Sequence, residues 1–151
     1  MTSDTRRAAA PAHLGWRLLA LVYDALPIVA LWFVASVIVL AIRGGTPVAP
    51  WSLAFWLQNL LLWLITGAYS IISWKNGGQT LGMRPWRLRV VNENGGAAGL
   101  SQLIWRYVWA TPSLLLFGLG LLPTLLAGER RALHDRLSAT RLVRLQPATG
   151  A

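Results

Sequence analysis

The uncharged stretch at residues 51–74, WSLAFWLQNLLLWLITGAYSIISW, decides the fold class. It is longer than the roughly 20 apolar residues that a helix needs to cross the hydrocarbon core of a membrane. Tryptophan stands at both ends, and the membrane–water interface favours tryptophan. The stretch therefore predicts a transmembrane helix, and with it an integral membrane protein.

The composition of the whole chain supports this class. Of its 151 residues, 55% are hydrophobic and 13% are charged, whereas an ordinary soluble domain carries about 25% charged residues. A chain this short cannot bury so much apolar surface in one water-soluble core. Lipid must therefore cover the rest.

The charge balance indicates the partners to expect. The net charge is +9, and its carriers lie between apolar runs, whereas a nucleic-acid-binding protein gathers them on one folded polar face. Anionic lipid head groups are the better partner, and no nucleic acid is expected. With no cysteine and only two histidines, disulfides are excluded and a metal site is not expected. The pair His134-Asp135 lacks the further ligands of a metal hydrolase, so no cofactor and no enzymatic activity are predicted.

Two further apolar stretches lie on either side of residues 51–74 in the chain, so that residues 18–42 are the first span and residues 51–74 the second. Residues 18–42 hold one charge, Asp24, and are long enough to span with some tilt. Their apolar part is too long for a cleaved signal peptide, which predicts a retained anchor. Residues 100–127 are interrupted by prolines and glycines and leave room for one straight crossing but not for two.

Positive charge predicts the orientation. Lysine and arginine are frequent in the loop 75–99 and in the tail 128–145, and Arg6 and Arg7 precede the first span, whereas the loop between the first two spans holds only Arg43. The positive-inside rule then places the N-terminus, the second loop and the tail in the cytoplasm. Three simple crossings would leave the tail outside. A broken, re-entrant or interfacial third segment resolves the conflict, with a reversal at Gly118 and Gly120.

Two short stretches have partial strand alternation, residues 86–91 (WRLRVV) and 140–145 (TRLVRL). If they pair, the loop and the tail share one compartment; the alternative is that each is irregular surface. The expected fold is thus all-α transmembrane. It is a small helical bundle of two firm spans and a third broken or re-entrant segment, with a short cytoplasmic β-pair, between disordered ends at residues 1–13 and 146–151.

Asp24 is the residue that most needs an explanation. An aspartate near the middle of a membrane helix costs about 2.5–3.5 kcal/mol on insertion scales, so such residues are usually functional or paired. Arg17 lies on the same helical face but leans away, so it is a snorkelling anchor or part of a wider site and not a direct partner. The partner of Asp24 is Arg106, a water, a bound cation or its own proton. Pro27 frees the carbonyl of Tyr23, and two such oxygens could begin a cation or proton site.

Polar residues recur every seven positions along the second span, at Ser52, Asn59, Thr66 and Ser73, with Tyr69 nearby. They share one helix face, which is expected to pack against neighbouring helices or to line a polar cavity. In the tail, Asp135 is expected to meet Arg106 or an arginine of the basic loop and so hold the tail against the membrane domain. His134 could make that contact sensitive to pH.

A set of motifs in this order resembles the RDD family of small bacterial membrane proteins. They are Arg17, Asp24, GQTLG at residues 78–82 followed by RLRVV and a glycine turn, Arg106, and LHDRLSAT at residues 133–140. The family is named for one arginine and two aspartates, which here correspond to Arg17, Asp24 and Asp135. Met83 stands where the family usually has a lysine. The resemblance covers residues 15–145 and implies a multi-pass fold in the bacterial inner membrane and a part in transport, with sodium or proton exchange proposed for some members.

Two functional hypotheses follow. The first is an ion-coupled transporter or transport accessory, with Asp24 as the carrier of Na⁺ or H⁺ and with a homo-oligomer or a larger partner completing the cavity. The second is a non-transporting scaffold, whose buried charges fix the fold and whose basic cytoplasmic face binds anionic lipid or a protein partner. The candidate residues are Asp24, Arg17, Arg106, Asp135, Asn59 and Tyr69.

Overall fold

The computed structural model describes residues 10–115 and 132–145. Within these ranges the chain is mostly helical and carries one small sheet. In chain order the elements are β1 (Ala10–Pro11), α1 (Leu14–Ile42), α2 (Leu53–Gly77), β2 (Leu88–Asn92), α3 (Leu100–Leu115), α4 (Leu133–Leu137) and β3 (Thr140–Arg144). The predicted reversal at Gly118 and Gly120 lies outside the described residues.

Helices α1 and α2 are long and apolar enough to cross a membrane. Helix α1 has 29 residues and runs through Pro27 without interruption; at 1.5 Å per residue it is about 43 Å long. Large apolar side chains on both helices are exposed; for example, Leu26 is 73% and Leu53 is 76% exposed. Extensive exposed apolar surface of this kind is typical of a membrane protein.

The ends of α2 are set by local hydrogen bonds. At its start the Ser52 hydroxyl accepts the N–H of Phe55 at 3.2 Å, which satisfies one of the free donors of the first turn. At its end Gly78 takes φ +71°, a left-handed conformation that favours glycine. The helix therefore ends where the GQTLG motif begins.

The two stretches with strand alternation pair, which decides between the two alternatives that the sequence left open. Strands β2 and β3 are antiparallel, with Val90 opposite Leu142. Strand β1 adds to the other side of β3, which corrects the assignment of residues 10–13 to a disordered tail. Ala12 is fully buried and donates its N–H to the Leu142 carbonyl at 3.1 Å. A two-residue strand is too short to show periodicity, and it forms here because β3 offers an open edge.

The sheet packs against the helix ends through one face. Leu88, Val90 and Leu142 share this face and join a buried cluster with Ala20 of α1 and Leu103 of α3. Because β1 leads into α1 and β2 follows α2, the start of α1 and the end of α2 lie on the same side as the sheet. We call this the sheet end of the molecule.

Helix α3 runs along α2, away from the sheet end. Near that end the Arg106 guanidinium lies over the Trp74 ring, 5.3 Å from its centroid. Further along, the Tyr107 hydroxyl donates to the Trp63 carbonyl at 2.6 Å, and the Trp63 indole donates to Thr111 Oγ1 at 2.9 Å. As the residue numbers rise along α3, the numbers of their partners fall along α2, so the two helices are antiparallel. The described part of the third segment is therefore a helix beside α2, not one lying across its end.

Candidate functional site

The carboxylate of Asp135 joins two helices to the C-terminal segment. Its side chain is fully buried, and Oδ2 lies 2.7 Å from Nη1 of Arg17 in α1. The other oxygen, Oδ1, accepts a hydrogen bond from Nη1 of Arg106 in α3. Both arginines are also buried. We call these three residues the Arg–Asp cluster.

Further hydrogen bonds orient the cluster. Arg106 Nη1 also donates to Thr140 Oγ1 of β3 at 2.8 Å, and Arg17 Nε donates to the Ala12 carbonyl at 3.3 Å. The backbone N–H of Ala132 donates to Asp135 Oδ2 at 3.2 Å. The side chains and backbone of five neighbouring segments thus meet within one buried polar centre.

The ionisation of Asp135 follows from its neighbours. Burial by itself raises the pKa of this carboxyl, but the guanidinium groups of Arg106 and Arg17 outweigh burial and hold the pKa well below its usual range. Asp135 is therefore ionised at physiological pH, and the two buried arginines depend on its charge.

His134 lies beside the cluster and is buried. Its Nδ1 is 3.4 Å from Ser113 Oγ, and its Nε2 is 3.6 Å from Asp135 Oδ1. Burial, together with the nearby charge of Arg106, lowers the pKa of His134 to about 4. The imidazole is therefore neutral near pH 7, and any pH sensitivity that it provides lies in the acid range.

Asp24 forms a second, separate site. It is 7% exposed, and its Oδ1 accepts the Tyr69 hydroxyl at 2.8 Å and the Gly82 N–H at 2.9 Å. Its Oδ2 accepts the Thr80 hydroxyl. Across residues 10–115 and 132–145, no arginine or lysine forms an ion pair with this carboxylate. We call Asp24, Tyr69, Thr80 and Gly82 the Asp24 site.

The GQTLG motif folds back onto α1 to build this site. The approach is so close that a Cβ at Gly82 would lie 2.3 Å from the Ala20 carbonyl oxygen and 2.6 Å from the Asp24 nitrogen. Only glycine permits this contact. Asp24 is ten residues from the start of α1, about 15 Å along the axis, and the 18 residues after it up to Ile42 carry no charge. The carboxylate thus lies near the sheet-end boundary of the apolar part of α1, not at its middle.

The structure divides the sequence-predicted residues into two groups. Arg17, Arg106 and Asp135 converge, which overturns the interpretation of Arg17 as a snorkelling anchor, because its guanidinium is 4% exposed and ion-paired. Arg106 does not pair with Asp24, because Asp135 engages it. Asp24 does meet Tyr69.

Asn59 belongs to neither group. It is exposed on α2 and donates to the Phe55 carbonyl of its own helix at 2.9 Å. With Ser36 and Gln58 it lines a cavity of about 400 Å³ at the end of the helical pair opposite the sheet. The seven-residue periodicity of α2 therefore does not gather its polar residues into one site.

Sequence reasoning missed Thr80 and Gly82 as hydrogen-bond partners of Asp24, because it used GQTLG only as a motif of the family resemblance. The signal in the sequence was the hydroxyl of Thr80 between Gly78 and Gly82, directly after an apolar helix. A hydroxyl in a glycine-containing turn is a suitable hydrogen-bond donor to an aspartate such as Asp24 in the neighbouring helix.

Both sites fall within one family-wide match. The RDD family model matches residues 11–139, a range that includes Arg17, Asp24 and Asp135. The chain belongs to the RDD family. Comparison with curated proteins and with solved structures gives no match. In this RDD chain the name-giving arginine pairs with the second aspartate, while the first aspartate forms its own site. Met83, where the family usually has lysine, lies in the buried apolar cluster.

The two sites differ in what they can do chemically. The Arg–Asp cluster is closed to solvent, so its charges act mainly on one another. The Asp24 site offers one buried carboxylate whose hydrogen-bond donors among the described residues are all neutral. No group of three or more metal-binding side chains occurs in the part of the chain that the structure describes.

Replacement of Asp135 with asparagine should destabilise the fold strongly. The variant leaves two arginines buried without their counter-charge, and breaking a buried pair in this way costs about 3–5 kcal/mol. We expect a large fall in the Tm of the purified protein in detergent, measured by circular dichroism. Arg136→Gln is the matched control, because Arg136 is the exposed neighbour. Equal Tm values for Asp135→Asn and the wild type would contradict a stabilising role of the Arg–Asp cluster.

Acidification should destabilise the protein in two steps. Because the pKa of His134 is about 4 in the folded chain and about 6.5 in an unfolded one, the unfolded chain alone gains this proton between pH 6.5 and pH 4. The free energy of unfolding should fall by about 3 kcal/mol across that window. Below pH 4 protonation of Asp135 should add a second loss.

Denaturant unfolding at pH 7 and pH 4.5 tests the first step. His134→Gln removes the titrating group, so the variant should show a smaller difference between the two pH values than the wild type. An identical difference in both proteins would show that His134 does not carry the effect.

Proposed function

We propose that this RDD protein is a non-transporting scaffold of the bacterial plasma membrane, which holds a basic β-sheet at the cytoplasmic surface. One observation carries the proposal: the fully buried Asp135 ties α1, α3 and the C-terminal segment together. Each charged side chain of the Arg–Asp cluster has an ion-paired partner within it, which suits a structural role.

The proposed topology has α1 and α2 crossing the membrane with the sheet end in the cytoplasm. Exposed arginine and lysine side chains of the described residues are concentrated at the sheet end, whereas the connection between α1 and α2 holds Arg43 alone. This asymmetry supports a cytoplasmic sheet by the positive-inside rule. The chain leaves the sheet end in α3 and is back beside the Arg–Asp cluster at Ala132, which supports a broken or re-entrant third segment.

The surface proposed for a partner is the outer face of the sheet. Arg89 and Arg141 alternate with the residues of the packed face in β2 and β3, so they lie on the opposite face of the sheet. The stem of Arg89 lies against Gly78 at the end of α2. Arg141 is exposed. A positively charged face of this kind suits an acidic protein segment or anionic lipid.

The topology can be tested with single cysteines, because the chain contains none. Thr46→Cys lies between α1 and α2, and Asn94→Cys lies in the turn after β2; both positions are exposed. A membrane-impermeant maleimide should label the Thr46 variant in intact spheroplasts, and the Asn94 variant only after the membrane is opened. The reverse pattern would refute the cytoplasmic sheet.

A second candidate function is ion- or proton-coupled transport by an oligomer or with a larger partner. The observation that favours it is the Asp24 site, where a buried carboxylate is held by two hydroxyls and one N–H without an ion-paired cation among the described residues. Ionisable residues within membrane helices often mark proton or ion paths.

Flux measurements in proteoliposomes separate the two functions. The scaffold predicts that wild-type protein dissipates neither a pH gradient nor a sodium gradient faster than empty liposomes. Transport predicts a flux that Asp24→Asn abolishes, since asparagine retains a hydrogen-bond acceptor but cannot exchange a proton at neutral pH. Asn59→Ala, a polar change in α2 away from Asp24, is the control and should leave that flux unchanged. A wild-type flux lost only in the Asp24 variant would overturn the scaffold.

A further inference from the structure

We propose that three exposed arginines at the sheet end bind the phosphate of an anionic phospholipid. They are Arg84, Arg87 and Arg144, and we call them the arginine rim. The inference rests on the proposed function for its orientation, because it requires the sheet end to face the cytoplasmic leaflet, where anionic head groups lie.

Backbone hydrogen bonds bring the three arginines together. Arg84 and Arg87 stand at the two ends of one turn, in which the Arg87 N–H donates to the Arg84 carbonyl at 3.1 Å. The Arg87 carbonyl in turn accepts the N–H of Leu145 at 2.9 Å. Arg144 precedes Leu145 and stands opposite Leu88 in the sheet. The turn and the end of β3 therefore present three guanidinium groups at one corner of the molecule.

The conformation of Arg87 is itself unusual. Its φ is +54°, in the left-handed region that is unfavourable for a residue with a side chain. Such strained residues cluster at binding sites, where the surrounding structure holds them in place. Here the two hydrogen bonds of its backbone fix the strained conformation and leave its side chain exposed.

Aromatic rings connect the arginine rim to α1. The Arg144 guanidinium lies over the Trp16 ring, 4.2 Å from its centroid. The Trp86 ring is 5.1 Å from that of Trp16 and 5.6 Å from that of Tyr23. Tryptophan and tyrosine are enriched at the level of the lipid head groups. This stack, which continues from Trp16 to Tyr23 along α1, therefore places the arginines at that level.

An apolar track continues from the stack along the same stripe of α1. Leu19, Tyr23 and Leu26 follow Trp16 at helical spacing and are 38%, 47% and 73% exposed. The track leads from the arginines toward the uncharged part of α1, as an acyl chain does from its phosphate. A free phosphate would have no use for this track, so the geometry favours a lipid.

No acidic side chain of the described residues competes for the arginine rim. Asp24 and Asp135 are buried and engaged within their own sites. Glu93 follows the far end of β2, six residues beyond Arg87 and therefore about 20 Å along the strand. The local field of the arginine rim is thus positive, which complements an anionic head group.

The test compares lipid retention in wild-type protein and two triple variants. Each protein is purified from nanodiscs of equal phosphatidylglycerol and phosphatidylcholine, and the retained lipid is measured by native mass spectrometry. Arg84→Gln, Arg87→Gln, Arg144→Gln removes the arginine rim. Arg43→Gln, Lys75→Gln, Arg136→Gln is the matched control, because it removes three exposed positive charges that lie outside the arginine rim and outside the basic face of the sheet.

Wild-type protein should retain phosphatidylglycerol in preference to phosphatidylcholine. Loss of three cations near an anionic head group should reduce that preference by about tenfold in the rim variant, and the control should keep it. A rim variant with lysines in place of the three arginines should lose only part, because lysine lacks the bidentate geometry. An unchanged preference in the rim variant, or an equal loss in the control, would overturn the site.

A measurement on wild-type protein covers the case in which the rim variant fails to fold. Brominated phosphatidylglycerol should quench the tryptophan fluorescence more than brominated phosphatidylcholine at equal mole fraction, since Trp16 and Trp86 adjoin the arginine rim. Equal quenching would overturn the proposal. The cysteine labels report the orientation independently. A cytoplasmic sheet with no lipid preference refutes the arginine rim alone, whereas an inverted sheet refutes the scaffold topology whatever the lipid result.

Discussion

The architecture depends on one buried carboxylate that holds two buried arginines. Asp135 forms an ion pair with an arginine from α1 and with another from α3, which offsets part of the cost of burying both charges. The carboxylate comes from a five-residue helix that has little stability of its own. Its position is therefore secured by the helices that it joins, which makes the closure of the sheet end cooperative.

The two aspartates of the RDD signature are both buried, but the groups that stabilise their carboxylates differ. Asp135 uses full counter-charges, so it is ionised and its role is mechanical. Asp24 uses two hydroxyls and one backbone N–H, which leave the carboxylate without an opposite charge among the described residues. This difference in chemistry is why the structural proposal rests on Asp135 and the transport alternative rests on Asp24.

The sheet brings exposed basic side chains from separate segments of the chain onto one side of the molecule. It unites the residues before α1, those after α2 and the C-terminal segment on one side, so exposed basic side chains that are scattered in the chain become one surface. Its packed face meets the helices and its other face carries Arg89 and Arg141. An aromatic stack of Trp16, Trp86 and Tyr23 connects the side of the sheet to α1.

The amino-acid sequence by itself determined the apolar helices, because hydropathy is a local pattern. Period-two alternation identified the two strand-like stretches but left their pairing open, because a contact between distant segments is decided by packing. The sequence left the partner of Asp135 open between Arg106 and an arginine of the basic loop, and the structure shows that, of these, the partner is Arg106. The sequence could not place Arg17 beside Asp135 or Thr80 beside Asp24. Those contacts join residues 118 and 56 positions apart, and their partners were decided only when the helices and the GQTLG loop packed. The two-residue strand β1 likewise depends on tertiary structure, because it forms by hydrogen bonding to the edge of β3.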